Sequence, residues 1–87
     1  MRRIEFDRPV RIAFGKPRRP KAVKTVVEAS DCLKSENWPT RHKTLSRIAV
    51  KALDAARTGH LTPAEAREAF ADAALEAHLL VPAEPKH

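Results

Sequence analysis

The chain has no tyrosine, only two glycines, and one each of cysteine, methionine and tryptophan among its 87 residues. Each shortage removes a class of explanation. With glycine confined to Gly15 and Gly59, no Gly-rich loop can present a row of backbone amides to a phosphate. Cys32 has no second cysteine to pair with, so no internal disulfide staples the fold, which fits a reducing compartment. Without tyrosine, and with three phenylalanines and Trp38 needed for a core, no aromatic platform is left for stacking single-stranded bases. No segment reaches the roughly 20 apolar residues that a membrane-spanning helix requires. The basic stretch from Met1 to Arg8 is not followed by the apolar run of a secretory signal. A soluble, cytoplasmic protein without membrane association is expected.

What the chain does have is charge. The formal net charge is +6 and the mean hydropathy is −0.47. The charge is unevenly placed. Residues 1–24 hold nine Lys/Arg against two Asp/Glu, and residues 40–58 hold five against one, whereas residues 59–87 hold two against five. A basic front and middle with an acidic last part bears on association and solubility more than on fold. The length allows one domain, expected over residues 1–82 with a polar tail at 83–87, and a fold of this size buries only roughly 60 to 65% of its unfolded surface. At about 0.05 to 0.15 kcal/mol per residue, little stability is available to hold unpaired catalytic groups in an enclosed site.

Local patterns divide the chain into elements. Val10, Ile12 and Phe14 alternate with Arg11 and Ala13, the period of a half-buried strand, and Ile4 and Phe6 share its parity. Pro9 removes a donor and predicts that this strand is an edge or begins near it. A basic turn, Gly15 to Pro20, leads to a second strand over Lys21 to Lys24. Thr25 with Glu28 has the spacing of a capping box and predicts a first helix from Val26 to near Asn37, ended by Trp38-Pro39. A second helix is expected from Arg41 to Arg57, capped by Thr40, with Leu45, Ile48, Ala49, Ala52, Leu53 and Ala56 as its apolar stripe. Gly59 suits the left-handed position that closes it.

Leu61-Thr62-Pro63-Ala64-Glu65 writes out a helix start most completely: a hydroxyl cap, a proline where the missing N–H costs nothing, and a carboxylate at the third position. The helix it starts carries Ala66, Ala69, Phe70, Ala73, Ala74 and Ala77 on one face, small enough for close approach to the preceding helix. A short connection makes the two antiparallel. Leu79-Leu80-Val81 could add a third strand to the hairpin. The fold class expected is α+β: an N-terminal β-hairpin, with a C-terminal strand left open, packed on three helices of which the last two form an antiparallel hairpin.

Several groups of residues taken together, Phe6-x-x-Pro9-Val10 with Gly15, Thr25-Val26-x-Glu28-Ala29, Cys32-Leu33, Trp38-Pro39, Thr62-Pro63-x-x-Ala66-Arg67-x-Ala69-Phe70 and Ala73-Ala74-x-Glu76-Ala77, resemble a small bacterial family catalogued as domain of unknown function 982. The resemblance runs from about Phe6 to Val81. It implies no activity, cofactor or catalytic residue. The chain departs from the pattern at His78-Leu79-Leu80, where a glycine would be expected to end the last helix.

No residue combination points to catalysis, a cofactor or a metal. Cys32 lies one turn after Ala29 on an apolar face, with no histidine placed beside it in sequence, and reads as a core thiol. His42, His60, His78 and His87 lack the short spacings of a helical metal site. Glu65, Glu68, Asp72 and Glu76 describe a solvated helix face. Two surfaces remain as candidates. Lys16, Arg18, Arg19 and Lys21 at the hairpin tip, with Arg41, Lys43, Arg47 and Lys51 on the second helix, could contact anions or nucleic acid, though solvated basic surface is the plainer reading. Ala71, Leu75 and Leu79 could form a self-association stripe on the last helix, or pack beneath the first helix or the hairpin. The function expected is a non-enzymatic binding or protein-interaction module whose partner is another protein or a second copy, with a nucleic-acid-binding accessory protein as the alternative.

Overall fold

The computed structural model describes residues 4–15, 17, 19–38 and 43–81. Among these the order is strand β1 (Glu5–Phe14), strand β2 (Arg19–Thr25), helix α1 (Val26–Lys34), helix α2 (Lys43–Arg57) and helix α3 (Pro63–Glu76). The protein is α+β, with an antiparallel hairpin against three helices, the last two packed on each other. β2 packs on β1 and α1, α2 on α1 and α3, and α3 also on β1.

Alternation fixes the hairpin. Val10 and Ile12 of β1 and Val23 of β2 are buried, while Arg11, Lys21 and Lys24 face water. Pairing is regular from Val10↔Val23 to Phe14↔Arg19, then jumps to Glu5↔Thr25, which leaves extra β1 residues unpaired. Pro9 lies in that irregular stretch. It has no N–H to give a ladder, so the strand bulges there. Regular pairing begins at Val10, directly after the proline, which agrees with the expectation that the strand is an edge or begins near Pro9. Beyond the bulge the other side of β1 is met by the C-terminal segment, where Ala13 N–H donates to the Leu79 carbonyl at 2.8 Å and Val81 N–H to the Arg11 carbonyl at 2.9 Å. The C-terminal segment thus contributes a single antiparallel bridge, Ile12↔Leu80, and not a full strand.

Caps set the helix ends. Thr25 Oγ1 accepts from Glu28 N–H at 3.1 Å, and the Glu28 carboxylate accepts from Lys24 N–H at 2.9 Å, one residue short of the reciprocal bond that a capping box makes. α1 ends at Lys34, earlier than the predicted Asn37. Ser35 leaves helical geometry at φ −72°, ψ 145°; its Oγ accepts from Asn37 N–H and its carbonyl from Trp38 N–H. This local turn competes with further helix and carries Trp38 into the core, where its Nε1–H donates to Ser46 Oγ at 2.9 Å. The expected cap Thr40 and start at Arg41 lie outside the described residues.

The connection from α2 to α3 is bonded at nearly every step. Gly59 takes φ +84°, Gly59 N–H donates to the Ala56 carbonyl, and His60 N–H reaches the Ala55 carbonyl at 2.8 Å. Three residues later Thr62 Oγ1 accepts from Glu65 N–H at 3.1 Å while Glu65 Oε1 accepts from Thr62 N–H at 3.0 Å, a complete capping box ahead of Pro63. The backbone bond from Thr62, and then its hydroxyl, hold the Glu65 carboxyl below its ordinary range. α3 closes as α2 does: His78 N–H donates to the Leu75 carbonyl and Leu79 N–H to the Ala74 carbonyl, with His78 at φ +60° in the place where α2 has glycine.

The core between these elements is built from small and aromatic residues. Ala49, Leu53 and Ala56 of α2 and Ala66, Phe70, Ala73 and Ala74 of α3 are buried in one cluster with Val26, Ala29, Ile12 and Leu79. Trp38 stacks obliquely between Phe70, at 5.6 Å between ring centroids, and Phe14, at 6.3 Å. Ile48, placed on the buried stripe by sequence, is 50% exposed. It stands about 100° around the helix from Ala49, beyond the strip that α1 and α3 cover.

The two helix ends generate a paired prediction. A Cβ at Gly59 would meet nothing within 4 Å, so Gly59→Ala costs only the left-handed backbone, about 1 kcal/mol. His78→Gly relieves the same strain and should raise stability by up to about 1 kcal/mol. Chemical denaturation should move the two midpoints in opposite directions; equal or same-signed shifts would refute this account of the turns.

Candidate interaction surface

The structure separates the two basic groups. Arg19 and Lys21 are exposed on β2, and Arg47 and Lys51 are exposed one turn apart on α2. β2 rests on α1 and α2 rests on α1, so the first helix intervenes between them. Lys16, Arg18 and Arg41 lie outside the described residues, and Lys43 opens α2 with its side chain likewise undescribed. Arg19 and Lys21 thus stand on a different element from Arg47 and Lys51.

The groups with reactive chemistry are engaged in holding the fold. Cys32 is 3% exposed among core residues. Burial pushes its thiol above the ordinary range, outweighing the opposing field of Lys21. A thiol kept protonated by its surroundings is a poor nucleophile. Glu65 is committed to its cap. His60 Nδ1 is 2.8 Å from Thr58 Oγ1 within the α2–α3 turn, and His78 forms the left-handed end of α3. Among the described residues no three His, Cys, Asp or Glu side chains gather where they could hold a metal ion. Arg67 Nε donates to Asp7 Oδ1 at 3.0 Å, tying α3 to the bulged part of β1. Such part-exposed pairs are worth about 0.2 to 1 kcal/mol.

The apolar candidates come apart. Leu79 is 2% exposed and belongs to the core, so it is not available for self-association. The stripe counts Leu79 as helical, but the helix ends at Glu76, the chain turns left-handed at His78, and Leu79 no longer follows Leu75 on one face. Ala71 packs against the core from its edge. Only Leu75 of the three stands clear, at 61% exposure.

Leu75 is not isolated. It lines an open groove of about 620 Å³ together with Leu45, Asp72, Glu76 and His78, where the start of α2 meets the end of α3. Ile48 follows Leu45 one turn along α2. Leu75 thus lines an open channel with carboxylates on its α3 side, and the exposed Ile48 stands one turn beyond Leu45 on α2. A second depression, about 430 Å³, is lined by Glu5, Lys24, Thr25, Val27 and Glu28. Thr25, Lys24 and Glu28 there are already bonded to one another in the α1 cap. The outer α2–α3 face is the stronger candidate. Sequence reasoning found Leu75 and missed Ile48 and His78. The available signal was angular: Ile48 falls at the margin of the stripe marked by Ala49, Ala52, Leu53 and Ala56.

A family model described as Protein of unknown function (DUF982) matches residues 8–81, from β1 through the C-terminal bridge. The match covers most of the chain, which therefore belongs to that family. No curated protein and no solved structure matches it.

Proposed function

We propose that this member of the DUF982 family is a non-enzymatic protein-interaction module whose working surface is the outer face of the α2–α3 hairpin. The observation that carries the reading is the exposure of Leu75 in the groove it shares with Leu45, with the exposed Ile48 one turn along α2 from Leu45. Scattered surface aliphatics are ordinary in folded proteins. Here one stands on each of the two packed helices α2 and α3, in a domain so small that each buried leucine or isoleucine is worth about 1.5 to 3 kcal/mol. Such a face gains stability when something covers it. The employment of Cys32, Glu65 and His60 in core, cap and turn supports a module without chemistry of its own. The lone reduced thiol suits a cytoplasmic setting, and no described helix is long and apolar enough to cross a membrane.

A photo-crosslinking residue installed at Leu75 in living cells tests this reading. It should give adducts at defined masses, while the same probe at exposed Arg8, outside the α2–α3 face, should give none. Equal adduct yield at both positions would remove the face from consideration.

The second reading, nucleic-acid binding, draws on the exposed Arg19, Lys21, Arg47 and Lys51. Phosphate recognition releases counterions and falls steeply with salt. Because α1 intervenes between the two described groups, titration of labelled oligonucleotides at physiological salt should give only non-specific affinity, weaker than about micromolar. Submicromolar, sequence-dependent binding would put nucleic acid in place of a protein partner.

A further inference from the structure

The charges bordering the apolar face are arranged as two complementary ridges. Arg47 and Lys51 stand one turn apart on the solvent side of α2, and Glu68 and Asp72 one turn apart on the solvent side of α3. None of the four makes an ion pair among the described residues. Because the chain reverses through the short Thr58–Thr62 turn, Arg47 and Asp72 lie almost equally far from it, and so do Lys51 and Glu68. The basic ridge and the acidic ridge are therefore level with each other on the two packed antiparallel helices.

That arrangement is self-complementary under one operation. A two-fold rotation about an axis parallel to the hairpin lays α2 of one copy over α3 of the other without changing height. Arg47 then meets Asp72 and Lys51 meets Glu68, each pair occurring twice. The exposed Leu75 comes level with Leu45 of the opposing copy, and all neighbouring helices run antiparallel, as in a four-helix bundle. We infer that the partner of this face is a second copy of the chain, joined as a two-fold dimer through α2 and α3; the inference rests on the interaction reading proposed above. Two-fold dimers are the commonest closed assemblies. Two helices of about 20 Å length and 10 Å width present roughly 20 × 20 Å, so the pair of copies would bury on the order of 1,000 Å² in total, at the small end for specific interfaces. An interface of that size belongs to the weak, reversible class.

Sedimentation of the full chain from micromolar to several hundred micromolar concentration tests this, with a charge exchange as the decisive arm. Arg47→Glu with Lys51→Glu makes both ridges acidic, and Glu68→Lys with Asp72→Lys makes both basic. Each double variant alone should sediment as a monomer, since like ridges would face each other. Mixed in equal amounts they should form a heterodimer at least as tight as the wild-type dimer. Circular dichroism of each variant establishes that these surface changes leave the fold intact. Leu75→Gln should weaken the wild-type dimer at least tenfold. A wild-type chain that stays monomeric throughout, or a mixture that does not associate, overturns the inference. If in that case the Leu75 crosslink still captures a chain of different mass, the face remains an interface and only its assignment to a second copy fails.

Discussion

Everything in this fold depends on how closely α2 and α3 can approach. A domain of 87 residues has limited apolar volume to bury, and small residues hold buried positions on both of the packed helices, Ala49 and Ala56 on α2 and Ala66 and Ala73 on α3, which allows their backbones to come near each other. Buried alanine loses no side-chain entropy and is the best helix former, so this contact forms at low conformational cost. The few large residues then need only fill what the close approach leaves. Phe70 is fully buried between the helix pair and Trp38, and Leu79 closes the far end after the chain turns at His78. The turn at Gly59 and the Thr62–Glu65 cap set where α3 begins, and hence which alanines meet α2.

Those local signals were the legible part of the sequence. Thr62-Pro63-x-Glu65 specified a helix start that the structure reproduces bond for bond, because a cap is satisfied by residues within one turn. Gly59 was readable for the same reason. Strand alternation gave Val10, Ile12 and Val23 correctly. What escaped was decided by contacts between elements or by competition at helix ends. Ser35 diverted the chain into a turn three residues early. Whether Leu79–Val81 would add a strand to the hairpin was left open, and they return to β1 in a single bridge whose place is set by where α3 ends. His78 gave no signal of a left-handed turn, since the glycine that normally marks one is absent.

The candidate face was half legible for a related reason. Periodicity says which residues share a side of a helix and leaves open how wide a strip its neighbours cover. Leu75 and Leu79 were read as one stripe, and the structure divides them into surface and core. Ile48 was read as core and is half-exposed. The charges were visible as block asymmetry, basic in the middle and acidic at the end. Their placement as level ridges on adjacent antiparallel helices emerged only with the turn that joins them.

The most direct test of the central claim is the chemical stability of Ala73→Leu. If close approach of α2 and α3 governs the fold, a side chain of that size at a fully buried contact must push the helices apart, with a loss of about 1 to 3 kcal/mol and a lower denaturation midpoint. A midpoint equal to or above that of the unaltered chain would mean that the interface has room to spare, and that something other than small-residue packing holds the two helices together.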